Sequence, residues 1–174
     1  MTSLIDEKAL YFLSSGVYVV STGYEGVFNG QIINTATQVS GLPDICIAIS
    51  LHKDNYTTEL LEKSGHFSIS VLEEGVPMTF IGTFGFRCGR DIDKFKKCEF
   101  KVHGGCLPVV TQYSLSAVCA DVEDVLSVYS HKVFIGRVTS AEKIKDGVPL
   151  TYKAYHELKR GKSPKNAPTS IFND

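Results

Sequence analysis

The chain has 174 residues, of which 43% are hydrophobic and 21% charged, and its formal net charge at pH 7 is −1. This length and composition predict one globular domain with a sizeable core, and the near-neutral charge gives no electrostatic basis for binding nucleic acid or an anionic membrane. The most apolar stretches are too short to cross a bilayer. Residues 1–8 lack the basic and apolar segments of a signal peptide, so we expect a cytoplasmic location and no membrane association.

The first part of the chain consists mainly of predicted strands. Residues 6–13 are predicted to form a short helix. Residues 16–22 are rich in β-branched and aromatic side chains and lie between glycines, which is typical of a strand. Residues 27–40 form a second extended stretch, with a bend or bulge expected at its Asn-Gly pair.

The middle of the chain combines strands with a helix. Residues 45–51 are apolar enough to form a strand within the core. Residues 59–64 are predicted to form a short helix that ends before Gly65. Residues 66–72 alternate strictly between apolar and polar side chains, which predicts another strand.

The later segments are two helical pieces and two long strands. Residues 76–83 and 92–96 are predicted to be helical, with a glycine-rich loop at residues 82–89. Residues 114–129 and 132–143 then form two long predicted strands. Beyond them the periodicity is lost, and the chain is predicted to be irregular from residue 155 onward.

Many strands at short spacing with few helices indicate an antiparallel barrel or sandwich, so the predicted fold class is mainly β. The strands do not alternate with long helices, which argues against a doubly wound nucleotide-binding fold. The odd number of cysteines and the lack of C-x-x-C spacing favour free thiols over a zinc or rubredoxin-type iron site. The five cysteines are Cys46, Cys88, Cys98, Cys106 and Cys119.

A run of small hydroxyl and amide side chains lies on a predicted strand at residues 34–43. Strand centres usually carry bulkier apolar residues, so this run needs an explanation. Small side chains let a flat ligand such as an isoalloxazine ring approach the backbone, while amides and hydroxyls satisfy its polar edge. An exposed edge strand with ordinary polar residues explains the same pattern, and both interpretations stay open.

Residues 50–58 carry hydroxyls, amides and Lys53 where a predicted strand runs into the start of a helix. Helix N-termini hold phosphate through free backbone amides and the helix dipole, and a lysine adds a point charge. A capped helix after a solvated loop is the alternative, because the segment contains no phosphate-loop or G-x-G-x-x-G pattern.

Two arginines and aromatic side chains occupy residues 84–95. They could cover a bound ring or pair with a phosphate. A surface loop leading to a helix capped by Asp91 explains them equally well. His131, between the two long strands, is a candidate hydrogen-bond donor near a hydride-transfer site, or else a hairpin histidine without a role.

In their order along the chain, these segments resemble the FMN-binding split-barrel family of flavin reductase-like proteins over residues 9–157. The tail from residue 155 is similar to the subgroup of flavoredoxin and of the flavin domain of high-molecular-weight rubredoxins. The features that carry the resemblance are the Asn-Gly pair followed by residues 34–43, then residues 50–72, 89–95 and 131–138.

The resemblance implies an antiparallel Greek-key split β-barrel with a few short helices over residues 1–155, followed by an irregular tail at residues 156–174. It also implies a homodimer that binds FMN near the dimer interface, with FAD as an open alternative. His131 matches a histidine near the nicotinamide side in some flavin reductases. By position, the implied cofactor-binding residues are Asn34, Thr35, Ala36, Thr37, Gln38, Val39, Ser40, Ser50, Leu51, Lys53, Asn55, Thr57, Phe86, Arg87 and Arg90.

The implied function is that of a flavoprotein oxidoreductase, in which NAD(P)H delivers hydride to FMN and the reduced flavin passes electrons to an acceptor. Because the sequence has no rubredoxin-type cysteine pairs, we expect the acceptor to be a separate redox protein such as a rubredoxin. Two alternatives stay open. One is an electron carrier that does not use NAD(P)H, and the other is a flavin-binding module for storage or sensing.

Overall fold

The computed structural model describes residues 5–162 and residue 166. A short 3-10 helix at Glu7–Phe12 precedes the first strand. The strands are β1 (Tyr18–Tyr24), β2 (Val27–Ile33), β3 (Ala36–Gln38), β4 (Cys46–His52), β5 (His66–Leu72), β6 (Phe100–His103), β7 (Leu107–Val110), β8 (Ser114–Val128) and β9 (His131–Lys143). The helices are α1 (Tyr56–Ser64), α2 (Met78–Phe86) and α3 (Tyr152–Glu157).

Seven of these strands form one antiparallel sheet in the order β2-β1-β5-β8-β9-β4-β3. Its two edges, β2 and β3, are consecutive in the chain and are joined only by Asn34 and Thr35. The sheet must therefore curl until its edges lie side by side, and the backbone N–H of Ser50 donates to the carbonyl of Thr35 near this junction (3.4 Å). The result is an open, split barrel, as predicted.

The barrel is filled by side chains from its strands. One cluster of fully buried side chains packs at its centre and includes Val20, Ile49, Phe67 and Phe134. A Cβ atom on Gly136 of β9 would lie 2.5 Å from the Phe67 ring, so glycine at this position makes room for the aromatic side chain. Burial of these large side chains is the main source of the barrel's stability.

Strand β5 is buried on both faces, although its alternating sequence is typical of a half-exposed strand. The hairpin of β6 and β7 covers the polar face. Ser68 and Ser70 donate hydrogen bonds to the carbonyls of Pro108 (2.6 Å) and Val110 (2.8 Å) in β7. These bonds satisfy the buried hydroxyls, so the polar side chains are tolerated inside the protein.

A second core lies between the sheet and the helices α2 and α3. Leu72, Ile81, Phe84, Leu150 and Tyr155 are among its buried members. The packing holds the two helices against the outer side of the barrel, and this arrangement defines the walls of the cavity described below.

Strand β8 extends beyond the end of its neighbour β5. Its residues from Val122 onward pair with β9 and, within the described part of the chain, with no strand on the other side. Val125, Leu126 and Val128 are exposed along this extension. The far end of the β8–β9 ribbon therefore presents an apolar strand edge to its surroundings.

Several local predictions are corrected by the structure. The predicted glycine-rich loop lies largely inside α2, because Ile81 and Phe84 are buried and hold this segment in a helix. Residues 92–96 form turns instead of a helix. The β6–β7 hairpin was not predicted. The predicted irregular tail is helical through Glu157, where Thr151 Oγ1 caps α3 by accepting from the N–H of Ala154 (3.0 Å).

All five cysteines are free thiols, as expected from their spacing. In the described part of the chain, no helix has the length and apolar character needed to span a membrane. Of the predicted tail at residues 156–174, the structure describes residues 156–162 and Asn166. The other tail residues lie outside the described part of the chain.

Candidate functional site

A cavity of about 540 Å³ lies between the barrel and the helices. Strand β2, the end of β4, the first turn of α1, the second half of α2 with the loop after it, and α3 form its walls. This volume falls within the range of about 300–1,000 Å³ that is usual for pockets binding small molecules and cofactors. Val17, Ile33, Ile81, Phe84 and Tyr155 contribute apolar surface, which suits a flat ring.

The N-terminus of α1 opens into this cavity. Asn55, Tyr56 and Thr57 all line it. The backbone N–H groups of Thr58 and Glu59 already donate to the carbonyl of Asn55, whereas those of Tyr56 and Thr57 have no acceptor inside the helix. Together with the positive end of the helix dipole, they suit a phosphate group.

Asn29 of β2 forms a polar wall beside this helix end. Its side chain is 1% exposed, and its Nδ2 donates to Oγ1 of Thr57 (2.9 Å). Its Oδ1 is buried and has no hydrogen-bond partner in the described part of the chain. A buried acceptor without a donor is costly, which makes Asn29 a candidate acceptor for a hydrogen bond from a bound ligand.

Lys94 brings a positive charge to the same wall. The side chain is 5% exposed, and its Nζ donates to the carbonyls of Gly30 (2.8 Å) and Phe84 (3.2 Å). Burial lowers the pKa of Lys94 to about 8, while the nearby thiol of Cys88 acts in the opposite direction. The group is still mainly protonated at neutral pH.

The structure brings six of the predicted cofactor-binding residues to the cavity. They come from the β2–β3 connection, from β4, from α1 and from the end of α2. These residues are Asn34, Ser50, Asn55, Thr57, Phe86 and Arg87.

The other predicted cofactor-binding residues do not line the cavity. Leu51 is 1% exposed and points into the barrel core, because alternate residues of β4 face opposite sides of the sheet. Lys53 lies in an exposed turn, and Arg90 pairs with Glu59 and lies over the Tyr56 ring, with Cζ 4.2 Å from its centroid. The remaining residues lie on or beside the edge strand β3: Thr35, Ala36, Thr37, Gln38, Val39 and Ser40.

Of the β3 group, only Ala36 packs against the barrel core, and the others are exposed. For Lys53, Arg90 and the β3 segment, a role in cofactor binding stays a prediction that requires a ligand reaching beyond the cavity walls. For Leu51, whose side chain lies in the barrel core, a role in cofactor binding also stays a prediction.

His131 does not line the cavity but lies behind a residue that does. Its ring contacts that of His52 with 5.2 Å between centroids, and His52 itself lines the cavity. Burial and the neighbouring His52 lower the pKa of His131, whereas a hydrogen bond with the backbone of Asn166 raises it. Its Nδ1 also bonds Oγ of Ser130 (2.9 Å). A catalytic role for His131 stays a prediction, and of these two histidines only His52 lines the cavity.

Sequence reasoning missed several residues that shape the cavity. Asn29 belonged to a recognised Asn-Gly pair, but only the pairing of β1 with β2 and the contact with Thr57 place it in the wall. Lys94 lies in the segment of residues 89–95 that carries the family resemblance, but no role was assigned to it. Lys96 and Lys97 nearby are exposed, and local sequence does not show that Lys94 is buried. Tyr152 and Tyr155 were missed because the helix α3 was not predicted.

The family model described as "Flavin reductase like domain" matches residues 10–159. The chain belongs to this family. It is 40% identical to a high molecular weight rubredoxin from Moorella thermoacetica, over 95% of this chain and 72% of the relative. It is also 40% identical to a ferric-chelate reductase (NAD(P)H) from Archaeoglobus fulgidus, over 94% of this chain and 96% of the relative.

A crystal structure of flavoredoxin from Methanosarcina acetivorans has the same fold. Its TM-score is 0.72 at 17% sequence identity, with 82% of this chain and 76% of the other covered. The predicted family resemblance and the split-barrel fold are confirmed. The chain is a flavin-binding oxidoreductase or electron-transfer protein of this family, and the cavity residues fit a flavin because they combine apolar walls with an unsatisfied acceptor and a helix N-terminus.

Proposed function

We propose that the cavity binds FMN and that the protein passes electrons from NAD(P)H through this flavin to a separate acceptor. The observation that carries the proposal is the meeting of the α1 N-terminus, Thr57 and the unsatisfied Oδ1 of Asn29 at one side of a cavity with apolar walls. A phosphate and the polar groups of a flavin match these two sets of partners. The name of the reductase relative supports NAD(P)H as the donor.

Bound flavin would supply the capacity to accept a hydride and release electrons singly or in pairs. The chain's own residues would bind and orient it. The first turn of α1 would hold the phosphate, Asn29 would accept a hydrogen bond, and the aromatic side chains of Phe84 and Tyr155 would exclude water from one face. No side chain is required as an acid or base.

The phosphate assignment predicts that Thr57→Val weakens FMN binding about tenfold or more and riboflavin binding much less, because a hydrogen bond to a charged group contributes about 1.5–3 kcal/mol. Thr58→Val is the matched control, since Thr58 is equally buried but its hydroxyl donates to the carbonyl of His52 (2.8 Å). Fluorescence titration with both flavins measures the effect. Equal losses for FMN and riboflavin in Thr57→Val would contradict the assignment.

Reduction kinetics test the electron donor. Mixing the FMN-loaded protein with NADH or NADPH in a stopped-flow instrument should bleach the flavin absorbance with at least one of the two nucleotides. An absence of bleaching with both would exclude the reductase and favour the electron carrier, a second candidate supported by the relative named as a rubredoxin. A protein that takes up neither FMN nor FAD would exclude the flavin assignment itself.

We also propose that the acceptor is a separate redox protein such as a rubredoxin. In addition, we propose that the protein is a homodimer. The exposed apolar edge of β8, with Val125, Leu126 and Val128, supports a protein contact at the far end of the ribbon. Leu126→Asp should shift the mass measured by light scattering from dimer to monomer. A dimer that persists in this variant would place the interface elsewhere.

A further inference from the structure

The side chain of Lys94 is held inside the protein by its surroundings. The N–H of Phe95 donates to Oδ1 of Asp93 (2.9 Å), and Phe95 is 5% exposed in the core beside Phe84. The backbone at residue 94 is therefore fixed between a turn and a buried aromatic ring. Because of this anchoring the lysine side chain runs inward to the cavity wall, whereas the side chain of Lys96 is exposed.

The ammonium group lacks a counter-ion there. No ion pair of the described residues involves Lys94, and its two protein partners are neutral carbonyls, those of Gly30 and Phe84. An ammonium has three N–H donors, so these carbonyls leave one donor for a further acceptor. A buried charge without an opposite charge is costly, and proteins rarely keep one without a use.

A structural explanation accounts for only part of this arrangement. Phe84 lies in the last turn of α2, so Lys94 ties the end of this helix to β2, and a cation near a helix C-terminus is favourable. A neutral donor such as glutamine could make the same two bonds without the cost of burying a charge. The charge itself, directed at a cavity, points to an anionic ligand group.

We propose that the ammonium of Lys94 binds the negative charge of the flavin in this cavity, either on its phosphate or on its ring once reduced. The inference rests on the proposed function, because it requires a flavin in the cavity. Asn29, whose free Oδ1 lies in the same wall, would accept a hydrogen bond from the same ligand. The two side chains together would offer one donor with a full charge and one acceptor.

The two sources of negative charge predict different effects. A phosphate on Lys94 would favour FMN over riboflavin. A reduced ring on Lys94 would bind more tightly than the oxidised ring, so the charge would raise the midpoint potential of the bound flavin. In either case the affinity for the anion should fall as the pH rises through the pKa of Lys94, about 8 without a ligand, because deprotonation removes the charge.

Other titratable groups share the cavity and could change its affinity with pH. These groups, all of which line the cavity, are His52 on β4, Asp54 before α1, Tyr56 on α1, Arg87 and Cys88 after α2, and Tyr152 and Tyr155 on α3. The pH dependence that belongs to Lys94 is therefore the difference between the profiles of the natural protein and of a variant without the charge.

The test uses Lys94→Gln, which keeps hydrogen-bond donors for both carbonyls, and Lys94→Met, which removes them. Lys96→Met, an exposed lysine of the same loop, is the matched control. Affinities for FMN and riboflavin are measured by fluorescence titration, and midpoint potentials of the bound flavin by dye equilibration. Circular dichroism reports on folding.

Either of two results would support the proposal. With a phosphate on Lys94, both variants lose about tenfold or more in FMN affinity and little in riboflavin affinity. With the reduced ring on Lys94, both variants bind the oxidised flavins with unchanged affinity. Their midpoint potential falls by about 30 mV for each tenfold loss in affinity for the two-electron reduced flavin. In both cases Lys94→Gln loses the pH dependence near pH 8 that the natural protein shows in addition to that of free flavin.

Unchanged affinities, potentials and pH profile in folded Lys94→Gln would overturn the proposal and leave Lys94 as a structural tie. If neither variant folds, the natural protein still tests the proposal. An FMN to riboflavin preference that is constant through pH 8, together with a bound-flavin potential that changes with pH as that of free flavin does, would contradict it. A natural protein that binds no flavin would instead refute the proposed function, so the two failures are distinguishable.

Discussion

Replacing Gly89 with alanine is expected to weaken FMN binding by about tenfold or more, or about 1.4 kcal/mol, while the barrel stays folded. A Cβ atom at this position would lie 2.1 Å from Oδ1 of Asn29 and 2.6 Å from its Cγ. Asn29 cannot swing away cheaply, because it is 1% exposed and its Nδ2 is bonded to Thr57. Either the asparagine or the loop after α2 must move, and both belong to the cavity wall.

Gly82→Ala is the matched control for this prediction. Gly82 lies in α2, and an added Cβ would meet no atom within 4 Å. Alanine favours a helix over glycine by about 1 kcal/mol, so this variant should be as stable as the natural protein or more so, with unchanged FMN affinity. Fluorescence titration compares the two variants. Equal FMN affinity in Gly89→Ala and the natural protein would show that Asn29 does not shape the flavin site.

Replacing Phe67 with alanine is expected to lower the free energy of unfolding by about 3–5 kcal/mol. Phe67 is fully buried and packs with Val20, Ile49 and Phe134 at the centre of the barrel. Its ring also lies against Gly136, where the strand has no side chain to move into the vacated space. The neighbouring strands are bound into a continuous sheet, so the cavity can close only in part.

Urea unfolding followed by circular dichroism measures this loss. Phe12→Ala is the control, because the ring of Phe12 is 91% exposed and should contribute little to stability. Similar stabilities of the two variants would mean that packing around Phe67 in the barrel interior contributes little to the stability of the protein.

The strands of the barrel were predictable from sequence because their signals are local. The segments of β1, β4, β5, β8 and β9 combine β-branched and apolar residues with flanking turns, and each forms where it was predicted within a few residues. Gly65 ends α1 as predicted, since it adopts φ of 70°, a conformation that glycine reaches without strain. The family resemblance then supplied the split-barrel architecture, and the structure gave the order of the strands in the sheet.

The helix α2 and the site depended on tertiary contacts. Gly82 lies inside α2 despite its poor helix propensity, because burial of Ile81 and Phe84 offsets the cost. The predicted flavin contacts on β3 came from residue types and from the family resemblance and stay predictions, whereas the cavity wall includes Asn29 and Lys94. These two residues lie 65 positions apart in sequence and meet because Lys94 bonds the carbonyl of Gly30.

The sequence by itself determined the class of fold, the main strands and the family, because periodicity, turn residues and motif order are properties of short segments. Only the tertiary structure decided which polar groups are buried together. Burial depends on what covers a residue, and Lys94 is covered by the end of α2 and by β2, of which β2 is distant in the chain. The same lysine on a solvated loop would be an ordinary surface charge, whereas here it is a buried ammonium in the same cavity wall as an unsatisfied amide oxygen.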